Sequence, residues 1–107
     1  MSFNDTVQRM LIAAEKAAGI HWKDMSGYLE TEFEQAKNDA AAIALEVANG
    51  TKKPEQAKIE LEAIEESLRD VRLAATVDVK AAAQDAINAA LEVLRAAVNQ
   101  AAKVPIF

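Results

Sequence analysis

The stretch ANGTKKPEQ, Ala48 to Gln56 in a chain of 107 residues, constrains the fold more than any other part of the sequence. Gly50 follows a helical run where a left-handed residue would end it. Pro54 suits the first turn of a new helix, where its missing N–H would be unpaired in any case. The spacing predicts a helix-turn-helix junction that divides one helical domain, 1–107, into arms of nearly equal length, about 4–49 and 54–103, joined by a turn at 50–53.

Before the turn, Leu29, Phe33, Ala36, Ala40, Ile43 and Val47 recur at alternating steps of four and three; after it, Ala57, Leu61, Ile64, Leu68, Val71 and Ala75 do the same. Both are heptad seams, the pattern of helices packed at a shallow angle. A short turn makes the helices antiparallel, and the seams then share one register: Val47 faces Ala57, Ile43 Leu61, Ala40 Ile64, Ala36 Leu68, Phe33 Val71 and Leu29 Ala75. Alanines meet larger residues, which suits close packing. Of the flanking charges, Glu30 with Arg72 and Lys37 with Glu65 are expected to attract, and Glu46 with Glu60 to repel. Exposed pairs are worth about 0–1 kcal/mol each, so the apolar seam sets the pairing.

The two arms also lose regularity at one height. In the first arm, a helix with its own apolar row, Phe3, Val7, Met10, Ala14 and Ala17, and Ser2 and Asp5 at capping-box spacing, should end near Gly19. Then comes GIHWKDMSGY, a joint at 19–28 holding the only histidine, tryptophan and tyrosine. Thr31 and Glu34 also have capping-box spacing, so the next helix should begin between His21 and Thr31. In the second arm, the apolar steps slip after Ala75 to Val79, Ala83, Ile87 and Leu91, a stutter at ATVDV with a candidate break near 76–79. Neither glycine nor proline lies between Glu55 and Val104. The spacing therefore favours one locally unwound helix over two, about 75 Å long if straight. In the same register Trp22 faces Ala82, and Trp22 with Met25 would fill the gap beside Val79.

Composition narrows the functions. A net charge of −5 and a pI near 4.8 argue against phosphate-backbone binding, so no nucleic-acid partner is expected. The absence of cysteine removes disulfides, thiolate metal sites and cysteine nucleophiles. The most apolar run, Ala81 to Ala102, carries Asp85, Glu92 and Arg95 and is a poor membrane span. The N-terminus lacks the pattern of a secretory signal, and a cytoplasmic location is expected. Apolar residues are 51 % of the chain but aromatics only 5 %, so the interior should be thin. At this length, self-association would add useful burial.

The candidate sites are few. His21 has no second histidine or cysteine to complete a metal site or a nucleophile pair; no catalytic, cofactor-binding or metal-binding residue is expected. Glu62, Glu65 and Glu66 share a helix face with Lys58 and Arg69 nearby and read as a solvated surface. Ile59, Ala63, Leu73 and Val77, with Ala41, Ala44, Leu45 and Ala48 in the other arm, lie off the seam and need some cover. Trp22, Tyr28, Ile59, Leu73, Val77, Ile106 and Phe107 are the candidate interaction surface. The last two belong to VPIF, Val104 to Phe107, which either packs on the bundle end or docks elsewhere.

A helical hairpin of this size is similar in outline to the small WxG-type secreted proteins, although the turn here reads NGTKKP. The alanine-rich amphipathic helices resemble phasins, the polyester-granule coat proteins, in composition. No residue role carries over from either.

An all-α fold is expected: an antiparallel hairpin with long arms, either extended and self-associated or folded into a three- or four-helix bundle. The expected function is that of a non-enzymatic interaction or scaffold protein that self-associates through its heptad seams, with a dimer favoured and a protein partner as the other candidate. A coat on a lipid or polymer granule is the runner-up; its polar face lacks the cations usual for interfacial helices. A small enzyme or metal protein using His21 comes last.

Overall fold

Alanine and straight-chain residues lose little freedom in a helix, and they make up more than half of this chain. The computed structural model describes residues 5–71 and 79–107. Within them lie four α-helices, α1 (Thr6–Ala18), α2 (Ser26–Ala48), α3 (Pro54–Asp70) and α4 (Lys80–Ala102), with a 3-10 segment, Gly19–Asp24, joining the first two. No strand occurs among the described residues. The fold is the all-α bundle that the seams imply.

The central turn forms as its residues dictate. Gly50 adopts φ +78°; its N–H bonds the Val47 carbonyl at 3.1 Å, and the Thr51 N–H bonds the Glu46 carbonyl at 2.9 Å. These two bonds close the end of α2 as a Schellman motif. Lys53 is extended, and Pro54 opens α3. Gly19, at φ +60° and ψ −130°, ends α1 in a different positive-φ conformation that glycine adopts without strain.

α2 and α4 form the middle of the bundle, with α1 packed chiefly along α4 and α3 chiefly along α2. Val104 lies beside Gly50 and Pro54, and Glu65 bonds Arg95, so α4 runs antiparallel to α3 and parallel to α2. The core is one cluster, and Phe33, Met10, Met25, Leu29 and Leu61 are its largest fully buried side chains. Nine seam residues are buried: Leu29, Phe33, Ala36, Ala40, Ile43, Val47, Ala57, Leu61 and Leu68. Ile64 and Val71 are partly buried against them. Ala75 lies outside the described residues. Ala36 and Leu68, paired in the sequence register, line one groove between α2 and α3. The seam is thus in use within a single chain.

Two expectations are corrected. The second arm is not one helix: α3 ends at Asp70, α4 begins at Lys80, and both pack on α2. A straight helix over the whole arm would span about 75 Å, whereas the longest dimension of the molecule is 44 Å. The physical reason lies in α4, which buries Ala86, Ala90 and Ala97 as well as Ile87, Leu91, Leu94 and Val98. A stripe that wide needs cover from two sides, which α1 and α2 supply together. α2 begins at Ser26, within the range His21 to Thr31 that the spacing allows, with Thr31 inside the helix; Met25 and Leu29, both fully buried, carry the apolar face back to that start. The other correction is in α1, whose core face ends on Ala18 and leaves Ala17 exposed. Phe3 and Ser2, and most of the ATVDV slip, fall outside the described residues.

Candidate interaction surface

α3 carries an acidic face, and one of its carboxylates turns inward. Glu65 shares helical spacing with Leu61 and Leu68, which puts it at the edge of the buried stripe. It is 3 % exposed. Arg95 of α4 donates to it twice, Nε to Oε2 at 2.6 Å and Nη2 to Oε1 at 2.9 Å, the parallel fork that guanidinium and carboxylate planes allow. Hydrogen bonding to Glu65 pushes Arg95 further above its ordinary range, and the charges of Glu65, Glu62 and Glu92 add to this against the cost of burial. Glu65 is therefore not part of a solvated carboxylate face; Glu62 and Glu66 remain exposed, with Glu66 3.6 Å from Arg69.

The other face of Arg95 completes the site. Its guanidinium carbon lies 4.8 Å from the centroid of the Phe107 ring, within cation–π range. Asn99, one turn along α4, accepts two backbone bonds through Oδ1, from Ile106 N–H at 2.8 Å and Phe107 N–H at 3.1 Å. Ile106 is buried to 6 % exposure. Ile106 and Phe107, expected on an interaction surface, are folded onto the bundle, as an apolar end would be when a groove is at hand. Leu61, Ile64, Leu94 and Val98 wall the crevice in which Phe107 sits.

At the turn, the expected repulsion between Glu46 and Glu60 is answered by Lys52. Its Nζ stands 2.6 Å from Glu60 and 3.4 Å from Glu46. The Glu60 bond first, then the Glu46 charge, holds Lys52 above its usual range. Lys37 pairs with Glu34 at 3.1 Å on its own helix instead of crossing to Glu65, which Arg95 already occupies. Arg72, the expected partner of Glu30, lies outside the described residues.

The joint places its aromatic residues half in and half out. Trp22 and Tyr28 are partly buried and pack on the core, as do Val79 and Ala82, while Met25 is fully buried. The Tyr28 hydroxyl is enclosed without a hydrogen-bond partner among the described residues, and burial pushes it above the usual phenol range. The Thr6 hydroxyl is enclosed in the same way. His21 is half-buried in the 3-10 segment. Among the described residues, no group of three or more His, Asp or Glu side chains is placed to hold a metal ion.

Of the off-seam aliphatic residues, Ala44 is covered by the bundle and Ala41 partly so. Leu45, Ala48, Ile59 and Ala63 face solvent, and Leu73 and Val77 are outside the described residues. Leu45 and Ile59 lie opposite their seams, so they point away from each other. Among the described residues the most exposed large aliphatic side chain is Ile20, at 85 %, in the joint next to His21 and Trp22; Ile12 on α1 is 49 % exposed. No helix of the described residues is long and apolar enough to cross a membrane.

Among the functional side chains, sequence spacing missed Lys52, Asn99 and the inward turn of Glu65. One signal was readable: Arg95 is the sole cation between Ala81 and Ala102. A cation inside so apolar a run asks for a buried partner. Comparisons with models of protein families, with curated proteins and with solved structures find no match.

Proposed function

We propose that this chain is a non-enzymatic interaction module that self-associates, with a dimer as the favoured state. The observation that carries the reading is Ile20, 85 % exposed in a segment that no helix periodicity requires to be apolar, beside a half-buried Trp22. A large aliphatic residue next to an aromatic one is what an interface core uses, since apolar and aromatic side chains contribute most of the binding there. The heptad seams are occupied inside the chain, so association is assigned to this outward corner of the α1–α2 joint.

Sedimentation equilibrium over a wide concentration range tests the reading. The chain should associate reversibly, and Ile20→Ser should shift the equilibrium towards monomer without changing the helical circular dichroism signal. A chain that stays monomeric throughout, and recovers no partner in a pull-down, sinks it. Co-sedimentation with lipid vesicles and not with itself would favour the coat reading instead.

A further inference from the structure

α3 and α4 touch each other far less than α1 and α4 do. The wedge between them is closed by residues 104–107. That segment is held as a bound peptide would be. Its backbone is read by one side chain, Asn99, which takes two successive N–H groups; its aliphatic residue, Ile106, is buried; and its ring is clamped by Arg95, which Glu65 fixes in place. None of these contacts depends on which chain supplies the segment.

We propose that the α3–α4 groove is a peptide-binding surface, and that its occupant in trans is the Val104–Phe107 segment of a second copy of this chain. The proposal rests on the reading that the chain self-associates. The link between α4 and the segment is short and exposed. Lys103 has φ +64°, a left-handed conformation that costs a residue with a side chain, and Val104 and Pro105 are exposed. Pro105 has no N–H to lose. Rotation at these three residues carries the segment away and breaks little besides the groove contacts. A neighbouring copy then restores those contacts, the exchange that links identical protomers at low cost. Within one chain the segment's effective concentration is high. The closed form therefore prevails in dilute solution, and exchange grows with concentration.

The test uses a chain ending at Lys103, labelled with nitrogen-15, and the peptide Lys-Val-Pro-Ile-Phe. Amide shifts should saturate and map to α3 and α4 around Glu65 and Asn99. The intact chain, its groove filled, should give no such response, and Asn99→Ala in the shortened chain should weaken binding about tenfold, the loss of roughly one to two net hydrogen bonds. If the shortened chain does not fold, an intact chain carrying Phe107→Ala replaces it, since its strap is loosened and its backbone kept. A folded chain that gives no shifts, or shifts spread along α1, overturns the groove. Peptide binding with an intact chain that stays monomeric at the highest soluble concentration overturns exchange in trans. Association that survives loss of residues 104–107 while the peptide fails to bind leaves the Ile20 surface standing and removes this proposal alone.

Discussion

Glu65 of α3 and Arg95 of α4 meet edge to edge through two hydrogen bonds, yet they are unequally placed: the Glu65 side chain is 4 % exposed and that of Arg95 43 %. The arginine is the solvent-facing partner of a buried carboxylate. Removing one partner is therefore not equivalent to removing the other.

Arg95→Ala strands a carboxylate in the interior and should cost about 2–4 kcal/mol, at or below the range for breaking a buried pair because one end meets water. Glu65→Ala leaves an arginine that can turn outward, at about 1–2 kcal/mol. Urea unfolding of both variants checks the order, and a larger loss for Glu65→Ala would show that the pair is not asymmetric in this way.

Tyr28→Phe should leave stability unchanged or raise it by up to about 1 kcal/mol, since the hydroxyl is enclosed without a partner among the described residues. Burial raises its pKa, so the folded chain holds the proton to higher pH than the unfolded chain. Its contribution is whole below the ordinary phenol value of 10.0 and declines as pH rises beyond it. Thermal unfolding from pH 8 upward should show a steeper alkaline fall for the native sequence than for Tyr28→Phe; parallel curves would place the alkaline sensitivity elsewhere.

Ala40 is fully buried on the seam of α2. Ala40→Leu should destabilise by about 1–3 kcal/mol through overpacking. An unchanged melting temperature would mean that the α2–α3 spacing is wider than an alanine contact requires.

Lys103→Gly should stabilise the chain by a few tenths to about 1 kcal/mol, because glycine adopts the left-handed cap at φ +64° without side-chain strain while adding some freedom to the unfolded chain. Differential scanning calorimetry reads the change directly. A drop in stability would show that the lysine side chain contributes more than its backbone costs.

Much of the fold was legible because its signals are local. Gly50 and Pro54 mark the turn by backbone geometry alone, and Gly19 marks the end of α1. The α2–α3 seam was legible because helical spacing fixes which residues share a face. The division of the second arm was not, since nothing from Glu55 to Val104 breaks a helix by itself. What separates α3 from α4 is the demand of α4's two apolar faces, a property of the packed chain. Glu65 was hidden for a related reason. Its neighbours Glu62 and Glu66 form a polar row, and its inward position depends on Arg95, a partner far along the sequence. Ile106 and Phe107 were readable as apolar, but only the groove beside Asn99 decides that they turn inward.

The pairing of α1 with α4 also bears on how the chain finds its structure. The α2–α3 hairpin can close over a turn of a few residues, but α1 must wait for a partner at the far side of that hairpin in sequence. The entropy of closing a loop grows slowly with its length, and non-local contacts delay folding relative to local ones. The hairpin is thus the segment able to form early, with α1 and α4 closing over it together. The pairing of α1 with α4, made across the whole hairpin, is thus the step that completes the core and not the one that starts it.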